Sequence, residues 1–141
     1  MATPFTNPLL GKWTYRSFVN TPTDPDPFDG ILFGEGTLEF TDAPMNMIAG
    51  TIGTPGPNGW GPLTLSGSMT YGNPMTANFQ GSGTVSGEPW IYAYIGYLVN
   101  AWPNGVGQVP AIVGSVVRVI PHSNGQAKAG YVASFIAVRQ S

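Results

Sequence analysis

The chain has 141 residues, with 20 glycines, 14 prolines and no cysteine, and its formal net charge at pH 7 is −2. A single domain, residues 1–141, is expected at this length, and the lack of cysteine excludes disulfides, thiol redox chemistry and thiolate metal sites. Only 9% of the residues are charged, against about 25% in an ordinary domain. The 5 basic residues form no cluster, so nucleic-acid binding is not expected.

The N-terminal segment, Met1 to Pro8, lacks the basic start and the apolar run of a signal peptide. No apolar stretch approaches the roughly 20 residues that a membrane-spanning helix needs. We therefore expect a cytoplasmic protein without a membrane partner, and the missing cysteines are consistent with a reducing compartment.

Eight segments of aromatic and β-branched residues alternate with turns rich in glycine, proline and asparagine. No segment shows a helical period, and short links between consecutive strands favour antiparallel neighbours. The pattern predicts an all-β fold, an eight-stranded antiparallel up-and-down β-barrel. The predicted strands are residues 10–18, 31–40, 47–53, 63–71, 76–85, 90–99, 111–120 and 130–139.

Predicted strands two to five each have one apolar and one polar face, as barrel walls do. Six of their glycines fall on the inward face. Sharp bending of the strand explains any single inward glycine, but six together predict a hollow side of the interior, and an eight-stranded barrel can hold one small ligand. These glycines are Gly34, Gly36, Gly50, Gly67, Gly81 and Gly83.

Predicted strands six to eight are apolar on both faces, so their outer face needs a cover. A second subunit is one cover, which predicts a homo-oligomer such as a dimer or tetramer. The N-terminal arm or a long loop of the same chain is the other.

The sequence Gly11-Lys12-Trp13 opens the first predicted strand, and Arg139 closes the last. This pattern resembles the signature of the calycin superfamily, which includes lipocalins, fatty-acid-binding proteins and avidins. The resemblance implies that Trp13 packs on Arg139 and seals one end of the barrel. The strand order independently predicts that Trp13 and Arg139 lie at the same rim, where cation–π stacking between them is expected. The layout is most similar to avidin-type barrels, whose subunits also meet through strands six to eight. No residues match the polar cluster that holds biotin in avidins, so biotin binding is not implied.

A seal at Trp13 and Arg139 leaves the opposite rim open, bordered by residues 19–30, 53–62, 86–89 and 121–129. In lipocalin-like barrels the equivalent of the first loop acts as a lid. Aromatic side chains around this rim would suit a small apolar or aromatic molecule. The candidate ligand-binding residues are Tyr15, Phe28, Trp60, Phe79, Trp90, Tyr92, His122 and Tyr131.

The candidates also have plainer interpretations. Tyr15, Trp90 and Tyr92 would more often be barrel filling than ligand contacts, and Trp60 could be a plug or an interface anchor. A single loop histidine such as His122 is usually a solvated turn residue. Arg118 could anchor a carboxylate if it faces inward, or pair across an interface if it faces outward.

No catalytic residue, metal site or cofactor is predicted. Asp24, Asp26 and Asp29 fit no EF-hand loop. Glu35 and Glu39 lie on a wet face, which argues against a buried acid pair for glycoside hydrolysis.

The leading hypothesis is an oligomeric barrel that binds a small hydrophobic molecule. One alternative is a cofactor-free enzyme similar to allene oxide cyclase, which a buried, paired Glu or Arg in the cavity would favour. Another is a structural assembly module without a ligand.

Overall fold

The structure is a computed structural model, and it describes residues 7–20, 32–54, 59–72, 74–99 and 109–140. Eight antiparallel strands form a closed barrel in which each strand pairs with its neighbours in sequence and β8 pairs with β1. The predicted fold class is confirmed. In the described part of the chain, no helix is long and apolar enough to cross a membrane. The strands are β1 (Gly11–Val19), β2 (Leu32–Thr41), β3 (Met47–Gly53), β4 (Leu63–Thr70), β5 (Met75–Val85), β6 (Glu88–Val99), β7 (Ala111–Arg118) and β8 (Val132–Arg139).

The predicted strand ends differ from the observed ones by at most two residues. One such difference is the start of β6, which begins at Glu88. Ser86 and Gly87 have φ angles of 51° and 82° and make a two-residue turn. A turn with two positive φ values matches the twist of the flanking strands, so pairing resumes immediately after it.

Trp13 and Arg139 close one end of the barrel, as predicted. They are partners in the β1–β8 ladder, and Cζ of Arg139 lies 4.7 Å from the centroid of the buried Trp13 ring. Trp13 Nε1 donates a hydrogen bond to the Leu9 carbonyl at 2.8 Å. The Arg139 guanidinium donates to the carbonyls of Leu10, at 3.0 Å, and of Pro8. The segment before β1 is thereby held across the closed end.

Aromatic rings fill the interior next to the closed end. Phe40 meets the Trp13 ring edge-on at 6.4 Å and the Phe79 ring at 5.6 Å. Phe79 stacks on Tyr94 at 4.9 Å, and Tyr94 contacts Phe135 at 5.8 Å. This part of the barrel interior is a packed aromatic core.

The glycine-rich wall of β2 to β5 is not hollow, which corrects the prediction. A Cβ atom on Gly67 would overlap a backbone oxygen of β5, and one on Gly36 would lie 2.7 Å from a backbone oxygen of β3. A Cβ atom on Gly81 would already touch the Leu63 side chain at 3.4 Å. These glycines allow close approach and bending of the strands. Of the six, Gly34 lines the cavity described below.

The outer face of β6 to β8 carries apolar side chains that solvent reaches. Ile95 and Tyr97 are 48% and 45% exposed, and Val132 and Ile136 are also exposed. The described part of the N-terminal segment, residues 7–10, leads into the closed end and leaves this face open.

Candidate functional site

A cavity of about 200 Å³ opens at the rim opposite the Trp13–Arg139 seal. Its walls come from β1, β2, β6 and β7, and from the connections that precede β4 and follow β7. The barrel is therefore filled at one end and hollow at the other. The lining residues are Tyr15, Ser17, Phe33, Gly34, Trp60, Trp90, Tyr92, Tyr94, Arg118 and His122.

Five of the eight predicted ligand-binding residues line this cavity: Tyr15, Trp60, Trp90, Tyr92 and His122. Phe79 does not, because it is buried in the aromatic core. Tyr131 is 42% exposed and stacks on the outer side of the site against Phe33, with ring centroids 5.3 Å apart. Phe28 lies outside the described residues.

Phe33 reaches the cavity because of an irregularity in β2 that the alternation pattern did not predict. Ser17 pairs with Gly34, and the next residue, Phe18, pairs with Leu32. Phe33 is therefore an extra residue, and such bulges redirect a side chain. Two large apolar residues in succession, at 32 and 33, were the signal that alternation fails here.

Arg118 faces inward, which answers the question that its position in β7 left open. It is only 9% exposed and lies directly opposite Tyr92 in the β6–β7 ladder. Its Nε donates to the Tyr92 hydroxyl at 3.0 Å, and its Nη1 donates to the Lys128 carbonyl at 3.2 Å. The guanidinium also lies 5.3 Å from the Phe33 ring and 5.5 Å from the Tyr131 ring. The sequence showed this arginine but not which way it points.

His122 is buried, which corrects the interpretation of a solvated turn residue. It pairs with Ala127 across a tight turn in which Ser123 and Asn124 both have φ of 57°. The Glu88 carboxylate accepts hydrogen bonds from the backbone N–H of Ser123 at 3.1 Å and of Asn124 at 3.0 Å. This anchor ties the loop to the start of β6 and holds the imidazole in the cavity wall.

Arg118, Tyr92 and His122 form a hydrogen-bonded chain. Because Arg118 donates to the Tyr92 oxygen, we assign the Tyr92 O–H as the donor to His122 Nε2, at 2.7 Å. The imidazole N–H is then on Nδ1 and donates to Ser123 Oγ, at 2.9 Å. Burial lowers the pKa of His122 below 6.5, and the Arg118 charge lowers it further, while Glu88 opposes both. The imidazole is therefore neutral at pH 7 and can accept this bond.

Trp60, Trp90 and His122 form an aromatic row along the cavity mouth. The two indole rings are 6.3 Å apart and 26° from parallel, and the Trp90 ring stacks on the imidazole at 3.9 Å. Trp60 Nε1 donates to the Glu35 carbonyl at 3.0 Å, which fixes its loop to β2. Trp90 Nε1 is buried and has no hydrogen-bond partner among the described residues. The row gives the cavity a flat apolar wall.

Two tyrosines form the floor of the cavity. The Tyr15 ring meets the Tyr94 ring edge-on at 6.0 Å, and burial is the main cause that raises the pKa of Tyr15 to about 12. Burial likewise raises the pKa of Tyr94 well above 10.0. Both hydroxyls therefore stay neutral, so the floor can hydrogen-bond a ligand but offers it no charge.

Groups of three or more His, Asp or Glu residues that could hold a metal ion do not occur in the described ranges. Asp24, Asp26 and Asp29 lie outside those ranges.

Comparison with protein-family models, with curated proteins and with solved structures finds no match to this chain. A functional proposal therefore depends on the geometry of the cavity itself.

Proposed function

We propose that this protein binds one small, mainly apolar molecule in the cavity at the open rim, without a cofactor. The observation that carries the proposal is a cavity of about 200 Å³ walled by aromatic rings, in a barrel whose interior below the cavity is filled by buried side chains. Small-molecule sites are typically concave and apolar, with a few placed polar groups. An apolar cavity of about 150 Å³ in another protein binds benzene, so this one suits a single ring with small substituents.

Benzamide, a neutral single-ring probe, tests the proposal. We expect saturable binding that shifts the NMR signals of Trp60, Trp90 and Tyr15. Trp60→Ala removes part of the stacking wall and should weaken binding by about three- to tenfold, as the loss of one aromatic contact implies. The matched control is Tyr97→Ala, which removes an aromatic ring from the outer face and should leave binding unchanged. If neither benzamide nor benzoate binds, the proposal fails and the assembly-module hypothesis gains support.

An enzymatic function is the second candidate, and the buried Arg118 with its Tyr92–His122 chain favours it. If the oxygen of a bound ketone accepts the Tyr92 O–H and an N–H of Arg118, the Tyr92–His122 hydrogen bond is broken and Nε2 is free. Nε2 can then take a proton from the α-carbon of the ketone, while Tyr92 and Arg118 stabilise the enolate oxygen. Acetophenone in D₂O provides a test, because deuterium then replaces the methyl protons. The wild-type protein should accelerate this exchange and Tyr92→Phe should not. Exchange at the rate of buffer with the wild-type protein would rule this candidate out.

We also propose that the exposed outer face of β6 to β8 contacts the same face of a second copy. The outward side chains of these strands are uncharged, and several large ones, such as Ile95, Tyr97 and Ile136, are exposed. An uncharged face suits another uncharged face, because a charged partner would lose its water without gaining an ion pair. The Trp13–Arg139 seal supports a relationship to the calycin superfamily, and avidin-type barrels assemble through the equivalent strands.

A further inference from the structure

Arg118 is a buried positive charge whose described partners are neutral. Its hydrogen bonds go to the Tyr92 hydroxyl and the Lys128 carbonyl. The ion pairs found among the described residues lie on the exposed surface of β1 and β2 and involve other cations. Removing a charge from water is costly unless an opposite charge or a full set of hydrogen bonds compensates it. Among the described residues, no anion compensates this charge.

The guanidinium has donors left for such an anion. It carries five N–H groups, and Nε and one N–H on Nη1 account for the two bonds described above. A carboxylate matches the planar fork of a guanidinium with two parallel hydrogen bonds. The nearby acid, Glu88, does not fill this role, because both of its oxygens accept backbone N–H groups of the His122 loop.

The rest of the cavity defines the body of the ligand. Trp60 and Trp90 provide a flat wall beside Arg118. Tyr15 and Tyr94 close the floor, and the packed aromatic core lies beneath them. A long acyl chain therefore has no channel to enter, whereas one aromatic ring fits the volume of about 200 Å³.

We propose that the ligand is a monocyclic aromatic acid, with its carboxylate on Arg118 and its ring against Trp90. This inference rests on the proposed binding function and adds the charge and the size of the ligand.

Benzoate and benzamide test the charge directly, because they have the same shape and differ in charge. By calorimetry at pH 7.5 and low salt, we expect benzoate to bind at least about tenfold more tightly than benzamide, since charge-assisted hydrogen bonds are the stronger ones. Arg118→Gln should remove this preference, so that benzoate no longer binds more tightly than benzamide. The matched control is Arg16→Gln, which removes an exposed arginine on the outer face of β1 and should keep the preference.

The outcomes separate the two proposals. If both probes bind equally to the wild-type protein, the binding function stands and this inference is overturned. If neither binds, the binding function itself fails. A preference for benzoate that appears only after Asp24, Asp26 and Asp29 are replaced by Asn would show that the chain's own acids occupy Arg118, and it would also overturn the inference.

A second measurement needs no variant, so it remains informative if Arg118→Gln does not fold. The carboxylate of benzoate would lie near His122, between Arg118 and the ring wall, with Glu88 on the far side of the loop. An added negative charge favours protonated imidazole. NMR titration should therefore show that benzoate shifts the midpoint of His122 to higher pH and that benzamide does not. Benzoate binding without this shift would contradict the proposed placement.

Discussion

The two interior arginines of this barrel differ in what surrounds them. Arg139, at the closed end, stacks on Trp13 and donates to the carbonyls of Leu10 and Pro8, while its buried Nε has no partner among the described residues. Arg118, at the open end, donates to a hydroxyl and one carbonyl beside an open cavity. The same residue type therefore has a structural role at one end and a recognition role, as we propose, at the other.

Replacing Arg139 by Ala should destabilise the barrel by about 2–4 kcal/mol, because it removes a cation–π contact and leaves two part-buried carbonyls without donors. Urea unfolding measures this change. Arg16→Ala removes an exposed arginine of the same chain, and the expected change is within about 0.5 kcal/mol. Equal effects of the two substitutions would contradict the structural role of Arg139.

The protonation of His122 should make stability depend on pH. Burial and Arg118 lower the pKa of His122 in the folded protein below the 6.5 of the unfolded chain. Between these values the unfolded chain binds more protons, so stability rises with pH. We expect the contribution of His122 to the free energy of unfolding to be largest above pH 6.5 and to fall as the pH drops through 6.5. Below the folded-state pKa of His122 the free energy of unfolding should no longer change with this group. His122→Gln should flatten this part of the profile, and an unchanged slope in that variant would exclude His122 as its source.

At the scale of the strands, glycines that look alike in the sequence have different roles. Gly67 and Gly81 both fall on the inward face of their strands. The space for a Cβ atom at Gly67 is occupied by the backbone of β5, whereas a Cβ atom at Gly81 would make ordinary contacts with Leu63. The alternation pattern gives the direction of a residue, but the distance to the next strand depends on barrel curvature.

Alanine substitutions at these two glycines should therefore give unequal results. Gly67→Ala should destabilise the protein by about 3 kcal/mol or more, because the overlapping atoms belong to the backbone and cannot rotate away. Gly81→Ala should change stability by less than about 1 kcal/mol. The added methyl group makes ordinary contacts in the folded protein, and alanine lowers the conformational entropy of the unfolded chain. Thermal unfolding of the two variants measures the difference, and similar melting temperatures would contradict the close approach at Gly67.

The strands could be predicted from the sequence because alternation and turn residues are local signals. The closed end could be predicted because an eight-stranded meander brings the start of the first strand to the end of the last. Five cavity residues could also be predicted. Tyr92 lies on the inward face of its strand, and Trp60 lies in a loop at the rim opposite the Trp13–Arg139 seal. Phe33 could not be placed, since a bulge reverses its direction. The inward direction of Arg118 and the burial of His122 depend on long-range contacts with Tyr92 and Trp90, which no local pattern contains.

At the scale of the whole molecule, the low charge and the exposed apolar face of β6 to β8 both support the proposed association of copies. Ile95→Lys places a charge on this face and should shift the protein toward monomers in size-exclusion chromatography with light scattering. Ser66→Lys adds the same charge to the exposed face of β4 and should leave the mass unchanged. A wild-type protein that stays monomeric at every concentration would refute this interface.

The pairing of β8 with β1 also means that the strand order is circular. Gln140 donates to the Lys12 carbonyl at 2.9 Å, so the two ends of the described chain meet at the closed end, far from the cavity. A permuted chain that joins these ends by a linker and opens at the exposed Ser86–Gly87 turn would keep every strand pair. Its new termini would lie at the cavity rim. Because the natural sequence has no cysteine, two cysteines added at these termini could be labelled selectively with dyes that report ligand entry.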